Sequence, residues 1–563
     1  MSDPNFSPPH SGEYNSAWEK HRAALREHSP ALQALHQREQ DAAEATREMS
    51  REKVAETLGT TIVDDKTSKT VTFYGTVLNY TEEDQQNFSS NAPSSTGKSF
   101  VTGEVLQYFP EEDILNKGYT SPTAFFHENS RLCTADGEEL PNRNQYVDEG
   151  MKRWEEANPL PPKGEGREQW KAERKAEVRR LKGEWDEIDK YYVVDLEGKI
   201  LHFRDQPHDK LLQNLRPTLS HDAKIVECNI TDKSKEGGNR TKKVLIVGYP
   251  TVHFNSVRFS LDDQERTRLW LTSPEITQDK FRKSLRQQSR ALADRRAYKD
   301  TLQRDHNREM LKFRVRLIKE SPVRNVIIRA EDADRIYAKF IKDHPTLSPR
   351  HQRDFPRIIA MIKAHALFNQ WTRDHTEDGA AVYASSADIE EGFKLCEELV
   401  KSNELGLPPH VYRFHEESLK PALDAAGEAG LHRPDVSRLY YTFYHTRIGD
   451  KPLGNMIALL LETGLVLEET DPEDKRRKKL YSPTPGGEKS GTPETPNSEA
   501  LVDDVAGFFA ELGRGQVGEG KLYAAMKRRG HRFTEPEFHA ILKGYPGLYE
   551  LDGWTVTLKE AEP

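Results

Sequence analysis

The chain has 563 residues, of which 31% are charged and 35% hydrophobic, and its formal net charge is −9. This length predicts several domains, and the acidic balance excludes an overall basic coat, so any nucleic-acid surface must be local. Three distant cysteines exclude a disulfide framework, no apolar run has the roughly 20 residues of a membrane helix, and the first residues lack signal-peptide features. We therefore expect a cytoplasmic protein with no membrane partner.

The first third of the chain predicts a polar arm followed by mixed elements. Residues 1–60 are rich in helix formers and poor in apolar residues, which indicates a disordered start and a solvated helix. The segment TIVDDKTSKTVTFYGTVL alternates as a β-hairpin does. A strand in QQNFSSNA and a helix in SFVTGEVLQYFP follow, and a charged helical insertion occupies about 140–190. We assign residues 61–280 to one α/β core.

Five strands and one helix are predicted in the rest of this core. YYVVDLEGKILHF contains two strand-like runs separated by a glycine turn, and DKLLQNLRPTLSHD has the spacing of an amphipathic helix. AKIVECNITDKSKEGGNRTKKVLIVGYP predicts two strands joined by a basic Gly-Gly turn, which is a long hairpin. TVHFNSVRF predicts a further strand.

The remaining residues change from a basic helical region to small domains. Residues 281–405 predict a helical bundle that starts with ten Lys/Arg against four Asp/Glu in 281–313. In 406–483 the order of helices, glycine turn, strand, basic wing and strand predicts a winged helix. Residues 484–499 have the composition of a flexible linker, and 500–563 predict a second winged-helix-like domain.

The segment APSSTGKS, residues 92–99, ends like a phosphate-binding P-loop, and we call it the GKS loop. A lysine at this place reaches the β and γ phosphates, the next hydroxyl ligates Mg²⁺, and backbone N–H groups cradle the phosphates. Ala92 replaces the first glycine of the pattern, which is tolerable if its φ is negative. We predict that ATP and Mg²⁺ contact the following residues: Ser94, Ser95, Thr96, Gly97, Lys98 and Ser99.

Such a site also needs an acid at the end of a neighbouring apolar strand, to hold Mg²⁺ together with Ser99 and to orient water. Asp205, in KILHFRD, is the favoured residue because a helix follows it. Asp195 and Glu197, in YYVVDLEG, are the alternatives, although their position is typical of a hairpin turn.

Taken in order, these motifs resemble those of the AAA+ ATPases, within them the hexameric helicases that include the minichromosome-maintenance helicases and the replication helicases of mobile elements. The resemblance covers roughly 85–400: APSSTGKS resembles a Walker A loop, and ILHFRD resembles a Walker B strand in which Arg204 replaces the first acid of a pair. It implies an α/β fold with an AAA+ P-loop NTPase core, a β-hairpin insertion, a helical lid and C-terminal winged-helix domains.

The resemblance also implies roles for residues beyond the loop. Asn255, in GYPTVHFNSV, matches the sensor-1 residue that would position the attacking water. Arg268, in DDQERTRLWLTSPE, matches an arginine finger that acts across a subunit boundary, with Arg266 as the alternative. Arg353, in SPRHQRDFPR, matches a sensor-2 arginine through which the lid would detect the nucleotide.

Two basic segments are candidate DNA contacts. The long hairpin lies where such helicases place a pore hairpin, and its tip could follow the phosphates of single-stranded DNA through five residues: Lys233, Lys235, Arg240, Lys242 and Lys243. The wing EDKRRKKLY suits a duplex backbone. For both segments a merely solvated turn is the alternative.

These features predict an ATP-dependent, ring-forming DNA helicase or translocase, a hexamer acting in DNA replication, for example that of a plasmid, virus or other mobile element. The alternative is an ATP-switched assembly factor on DNA, such as an initiator, loader or defence regulator, with little unwinding. A structural scaffold would require the GKS sequence to be accidental.

Overall fold

The structure is a computed structural model that describes residues 40–483, apart from short gaps of which the longest are 233–239 and 257–265, and parts of 505–558. The chain divides into two compact units, 1–483 and 484–563. In the described residues, no helix combines the length and the apolar character needed to cross a membrane.

A parallel five-stranded sheet forms the centre of the first unit. From one edge to the other its strands are β2 (Ile114–Lys117), β5 (Ile200–Phe203), β8 (Thr251–Ser256), β1 (Asn87–Asn91) and β9 (Trp270–Thr272). Because all these pairings are parallel, the carboxyl ends of the five strands meet at one edge of the sheet. The fold is therefore α/β, as predicted.

A second, mixed sheet of four strands packs against one face of the central sheet. Its order is β3 (Arg131–Thr134), β4 (Lys190–Asp195), β7 (Arg240–Val247) and β6 (Ile225–Asp232). Strands β6 and β7 are antiparallel, which confirms the predicted hairpin, although its tip at 233–239 lies outside the described residues.

The strand residues alternate between two hydrophobic clusters, one on each face of the central sheet. Leu201, Phe203, Val252 and Phe254 belong to the cluster shared with the second sheet. Phe88, Ile200 and Trp270 belong to the cluster shared with the helical region. This alternation with a period of two residues is what a sheet covered on both faces requires.

Helices account for most of the remaining first unit. Those in its first part are α1 (Arg51–Gly59), α2 (Lys66–Val77), α3 (Lys98–Leu106), α4 (Arg143–Ala157), α5 (Gly166–Glu187), α6 (Asp209–Leu219), α7 (Gln278–Ala293), α8 (Arg295–Gln303) and α9 (His306–Glu320). Those after them are α10 (Ala330–Asp343), α11 (His351–Phe368), α12 (Ser386–Glu404), α13 (Pro409–Phe414), α14 (Lys420–Ala426), α15 (Arg433–Tyr444) and α16 (Asp450–Glu462). A two-stranded parallel pair, β10 (Asn325–Ile327) and β11 (Ala381–Tyr383), lies among them.

The β-hairpin predicted at about 61–78 is wrong, because this segment contains helix α2. Every residue from Ser68 to Val77 is buried, so the helix is enclosed by protein on all sides and has no polar face to produce a helical pattern. Two of its threonine hydroxyls are satisfied inside the helix: Thr70 Oγ1 donates to the Lys66 carbonyl at 2.7 Å and Thr76 Oγ1 to the Thr72 carbonyl at 2.6 Å. Tertiary burial therefore overrides the weak strand preference of β-branched residues.

The last part of the first unit, residues 405–481, has its own hydrophobic cluster, and we call it the 405–481 module. It combines α13–α16 with a three-stranded antiparallel sheet of β12 (Leu431–His432), β14 (Lys478–Tyr481) and β13 (Leu467–Thr470). Two residues of the α/β core, Ala92 and Ile276, also belong to this cluster. The module thus packs directly against the GKS loop.

The second unit contains helix α17 (Glu519–Arg528) and three antiparallel strands in the order β15 (Gln516–Gly518), β17 (Thr555–Leu558) and β16 (Tyr549–Asp552). Its apolar cluster includes Leu522, Met526 and Val556. The segment predicted as a linker, 484–499, lies outside the described residues.

Candidate functional site

The GKS loop connects the carboxyl end of β1 to the first residue of α3. Ser95 and Gly97 have φ values of 65° and 96°, a conformation in which a glycine costs least, and these two residues turn the chain into the helix. Lys98 Nζ donates to the carbonyl oxygens of Ala92 at 2.7 Å and Pro93 at 2.9 Å. The loop therefore closes around the lysine ammonium.

The structure accommodates Ala92 at the position where the usual pattern has a glycine. Its φ is not positive, which confirms the condition under which an alanine is tolerated. Its side chain is buried in the hydrophobic cluster of the 405–481 module, while its carbonyl accepts from Lys98. The methyl group thus provides a contact between loop and module that glycine would lack.

Asp205 is the acid that the fold places beside this loop. It follows strand β5 at the carboxyl edge of the central sheet and is exposed. Burial lowers the pKa of the Lys98 ammonium, and the nearby Asp205 carboxylate opposes that shift, so the two charges act on each other. The fold thereby brings together a lysine and a carboxylate that lie more than a hundred positions apart in the sequence.

The alternative acids lie elsewhere. Asp195 ends β4 in the second sheet and pairs with Arg131 at 3.3 Å. Glu197 pairs with Lys224 at 3.1 Å and precedes β5, at the amino edge of the central sheet. Neither carboxylate is placed to share a ligand with Ser99, so Asp205 is the better candidate.

Asn255 lies between the loop and Asp205, because β8 is the strand between β1 and β5. It is 4% exposed, and its Nδ2 donates to the Arg204 carbonyl at 3.3 Å. Its Oδ1 is buried and has no hydrogen-bond partner among the residues that the structure describes. A buried amide oxygen without a donor is costly, which makes this atom a candidate acceptor for a bound water or ligand.

The edge of the sheet consequently gathers groups that suit a phosphate and a hard cation. The first N–H groups of α3 have no acceptor within the helix, and the positive end of its dipole lies at the loop. Lys98 adds a positive charge, and the exposed Ser99 hydroxyl and Asp205 carboxylate offer the oxygen ligands that Mg²⁺ prefers. Exposed Ser94 and Ser95, and Thr96, whose Oγ1 donates to Pro93 at 2.9 Å, complete the loop.

The predicted arginines are not brought to this edge. Arg268 and Arg353 line a groove at the amino end of β1, together with Gln86 and Asn87. The length of β1 places that end about 13 Å from the GKS loop. An arginine finger acting on another copy of the chain is compatible with this placement, whereas a lid arginine that contacts the nucleotide of its own chain is not.

Arg266, the alternative arginine finger, forms an ion pair within its own chain. It is buried and pairs with Glu462 of the 405–481 module at 3.1 Å. Arg268 is half-buried, and its Nε donates to Ser220 Oγ. Arg268 therefore stays the better match because its side chain is the more accessible of the two.

Of the basic hairpin, the base lies within the described residues. Lys243 pairs with Asp189 at 3.0 Å, and the Lys242 ammonium lies 4.7 Å from the centre of the Tyr192 ring. Arg240 begins strand β7, while Lys233 and Lys235 lie outside the described residues. These contacts hold Lys242 and Lys243 against the second sheet.

Two residues that the sequence motifs do not single out connect the loop to the 405–481 module. Ser273, just after β9, donates its hydroxyl proton to the Asn91 carbonyl at 2.6 Å, and His410 Nδ1 lies 3.1 Å from the same hydroxyl oxygen. Since the serine proton is already used, His410 Nδ1 is the donor. Burial lowers the pKa of His410 to about 3, and the Lys98 charge acts in the same direction. No sequence signal could link positions 137 residues apart.

No protein-family model matches the chain, and no curated protein matches it. The chemistry of the site therefore follows from its geometry and from the motif pattern of the sequence.

Proposed function

We propose that the chain is an ATP hydrolase of the AAA+ type that assembles into a ring, most simply a hexamer, and acts as a DNA helicase or translocase. The observation that carries the proposal is the position of β8 between the strand of the GKS loop and the strand of Asp205. This order supports a shared site for Lys98, Ser99, Asp205 and Asn255.

Each residue has a distinct task in the proposed reaction. Lys98 leaves the loop carbonyls to bind the β and γ phosphates, and Ser99 and Asp205 hold Mg²⁺. Asp205 and the unpartnered Oδ1 of Asn255 accept from the attacking water and direct its lone pair at the γ-phosphorus. Because Arg204 stands in place of a second acid, Asp205 is the only carboxylate assigned to these tasks.

Completion of the site requires a second copy of the chain. Arg268 and Arg353 lie at the end of the sheet opposite the loop, so each would stabilise phosphate charge on a neighbouring copy. A head-to-tail contact of this kind repeats until it closes, which favours a ring. An arginine finger supplied in this way contributes about 10³–10⁵ in rate in well-studied NTPases.

A basic groove of about 690 Å³ between the start of α15 and strand β14 supports a duplex contact in the 405–481 module, interpreted as a winged helix. Its positive side chains are Arg433, Arg438, Arg476, Arg477 and Lys478. Glu468 pairs with Arg433 at 3.2 Å and with Lys478 at 2.5 Å, which reduces the net charge. The groove suits sequence-independent binding to a phosphate backbone.

The test of the proposed activity is ATP turnover by purified full-length variants. We expect Lys98→Ala and Asp205→Asn each to abolish turnover, because they remove the phosphate-binding charge and the Mg²⁺ ligand. Asp195→Asn is the matched control, since it makes the same chemical change at an acid paired with Arg131. Equal turnover by wild type and Asp205→Asn would contradict the assignment.

A second function is favoured by the contact between module and loop. Ala92 is buried in the cluster of the 405–481 module, and the Asn91–Ser273–His410 contacts connect the two. Nucleotide binding could therefore act mainly as a switch that places the module on DNA, with little unwinding. Strand separation on a forked duplex distinguishes the two functions: DNA-stimulated ATP turnover without unwinding would favour the switch.

A further inference from the structure

We propose that His344, His351 and Glu404 form a binding site for a divalent transition-metal ion, with Zn²⁺ as the expected metal. These residues lie at the ends of three helices: His344 caps α10, His351 begins α11 and Glu404 ends α12. One ligand atom from each lies within 4.8 Å of the others. The site is separate from the GKS loop and does not depend on the function proposed above.

His344 is oriented as metal-binding histidines usually are. Its Nδ1 lies 2.8 Å from the Phe340 carbonyl oxygen, which can only accept, so Nδ1 carries the proton. A hydrogen bond from the ring nitrogen that does not bind the metal fixes the tautomer and leaves the outward lone pair on Nε2. The ring is also held in place by stacking on Phe340, with 4.2 Å between the ring centres.

The outward lone pair of His344 faces a carboxylate. Nε2 lies 2.5 Å from Glu404 Oε1, and both atoms are acceptors when the imidazole is neutral. At this distance the cation shared by the two atoms is a proton; a Zn²⁺ ion that replaced it would hold the two atoms about 3.4 Å apart, so the Glu404 carboxylate would move away by about 1 Å. A metal ion has the advantage that it can also bind His351.

His351 supplies the third ligand with one exchange of contacts. Its ring centre lies 4.9 Å from that of His344, and its Nδ1 accepts the Ser348 N–H at 3.1 Å. Ligation through Nδ1 replaces this hydrogen bond by a metal bond and leaves the proton on Nε2. Two atoms bound tetrahedrally to one Zn²⁺ at about 2.1 Å lie about 3.4 Å apart, so ligand atoms that now lie up to 4.8 Å apart approach by at most about 1.4 Å.

The electrostatic setting favours a cation. Two carboxyl helix ends, those of α10 and α12, and one amino end, that of α11, meet at the site, so the negative dipole ends predominate. Glu404 adds a negative charge that is unfavourable there unless it is compensated. Arg350 is the competing positive charge near Glu404. Its Nε donates to the Asp354 carboxylate at 3.2 Å, so the negative charge of Asp354 offsets the positive charge of Arg350. Two imidazoles and one carboxylate with an open fourth position are a donor set typical of Zn²⁺.

The test is titration of the full-length, tag-free chain with Zn²⁺ alone, with binding measured by calorimetry. We expect one site per chain, with affinity at least about tenfold weaker in His351→Gln and Glu404→Gln. Both substitutions keep a hydrogen-bonding amide, since glutamine at 351 can still accept the Ser348 N–H. His306→Gln is the matched control because His306 pairs with Glu44 at 2.8 Å without a second histidine in the group.

Two further outcomes separate this site from its alternatives. Lys98→Ala should bind Zn²⁺ like wild type, which distinguishes failure of the metal site from failure of the nucleotide site. Zn²⁺ should also raise the melting temperature of wild type and His306→Gln but not of His351→Gln. Equal Zn²⁺ affinity of wild type, His351→Gln and Glu404→Gln, or no binding at all, would overturn the proposal and leave His344–Glu404 as an ion pair.

Discussion

Burial around the GKS loop changes the chemistry of single residues. Lys98 and His410 are both buried, and the pKa of each is lowered because their charged forms lose water. His253, which stacks on Phe88 in the central sheet, is buried in the same way, and its pKa is lowered to about 3. These histidines are therefore neutral in the folded protein well below the pH at which exposed histidines gain a proton.

This burial predicts loss of stability in mild acid. Between the ordinary histidine pKa of about 6.5 and a folded value of about 3, the unfolded chain binds a proton that the folded chain does not. The free energy of unfolding therefore falls as the pH decreases through this window, by at most about 1.4 kcal/mol per pH unit for each histidine. His410→Gln should reduce this pH dependence in urea unfolding at pH 7, 6 and 5.

The exposed His375 provides the control for this measurement. His375→Gln should leave the pH dependence as it is in wild type. A wild-type slope in His410→Gln would show that His410 gains its proton in the folded protein after all.

At the scale of elements, the helical region depends on close contact between α11 and α12. A Cβ atom on Gly392 would lie 2.4 Å from Ile362 Cγ1 and 2.7 Å from Ile362 Cα, distances that real atoms do not adopt. Part of this obstacle is backbone, which cannot move aside as a flexible side chain does. The glycine therefore sets how closely the two helices approach.

Gly392→Ala should destabilise the protein by about 1–3 kcal/mol, because overpacking outweighs the better helix propensity of alanine. Gly183, within helix α5, has no neighbouring atom within 4 Å of the place that an added methyl group would occupy, so Gly183→Ala should instead be neutral or stabilising by up to about 1 kcal/mol. Urea unfolding of both variants checks the opposite signs. Equal effects would mean that the α11–α12 contact yields to the added methyl group.

At the scale of the whole molecule, the two ends of the central sheet carry different groups. The GKS loop is at the carboxyl edge, and the groove with Arg268 is at the amino end. In the proposed ring, a chain would therefore supply a loop to one neighbour and an arginine to another, and hydrolysis would depend on assembly.

Mixing two inactive variants tests this dependence. Arg268→Ala and Asp205→Asn should each be inactive alone, but a 1:1 mixture should regain about a quarter of wild-type turnover, since a quarter of random interfaces combine an intact loop with an intact arginine. Arg295→Ala, an exposed arginine on α8, should be fully active by itself. A mixture as inactive as its components would mean that Arg268 does not act between chains.

The local pattern of the sequence was sufficient for much of the fold and for the loop. The strand before the GKS loop, the helix after it and the β6–β7 hairpin follow from short-range periodicity and turn residues, and the structure confirms them. Asp205 was favoured on the same local ground. These predictions succeed because propensity, hydrophobic spacing and turn chemistry are all properties of neighbouring residues.

Only the tertiary structure decided what these elements do together. Strand order placed Asn255 beside Asp205, packing turned the strand-like α2 into a buried helix, and the 405–481 module covered Ala92 and brought His410 to the loop. The same packing left Arg353 at the far end of the sheet. Contacts between residues a hundred or more positions apart depend on the balance of burial over the whole unit, which no short stretch of sequence encodes.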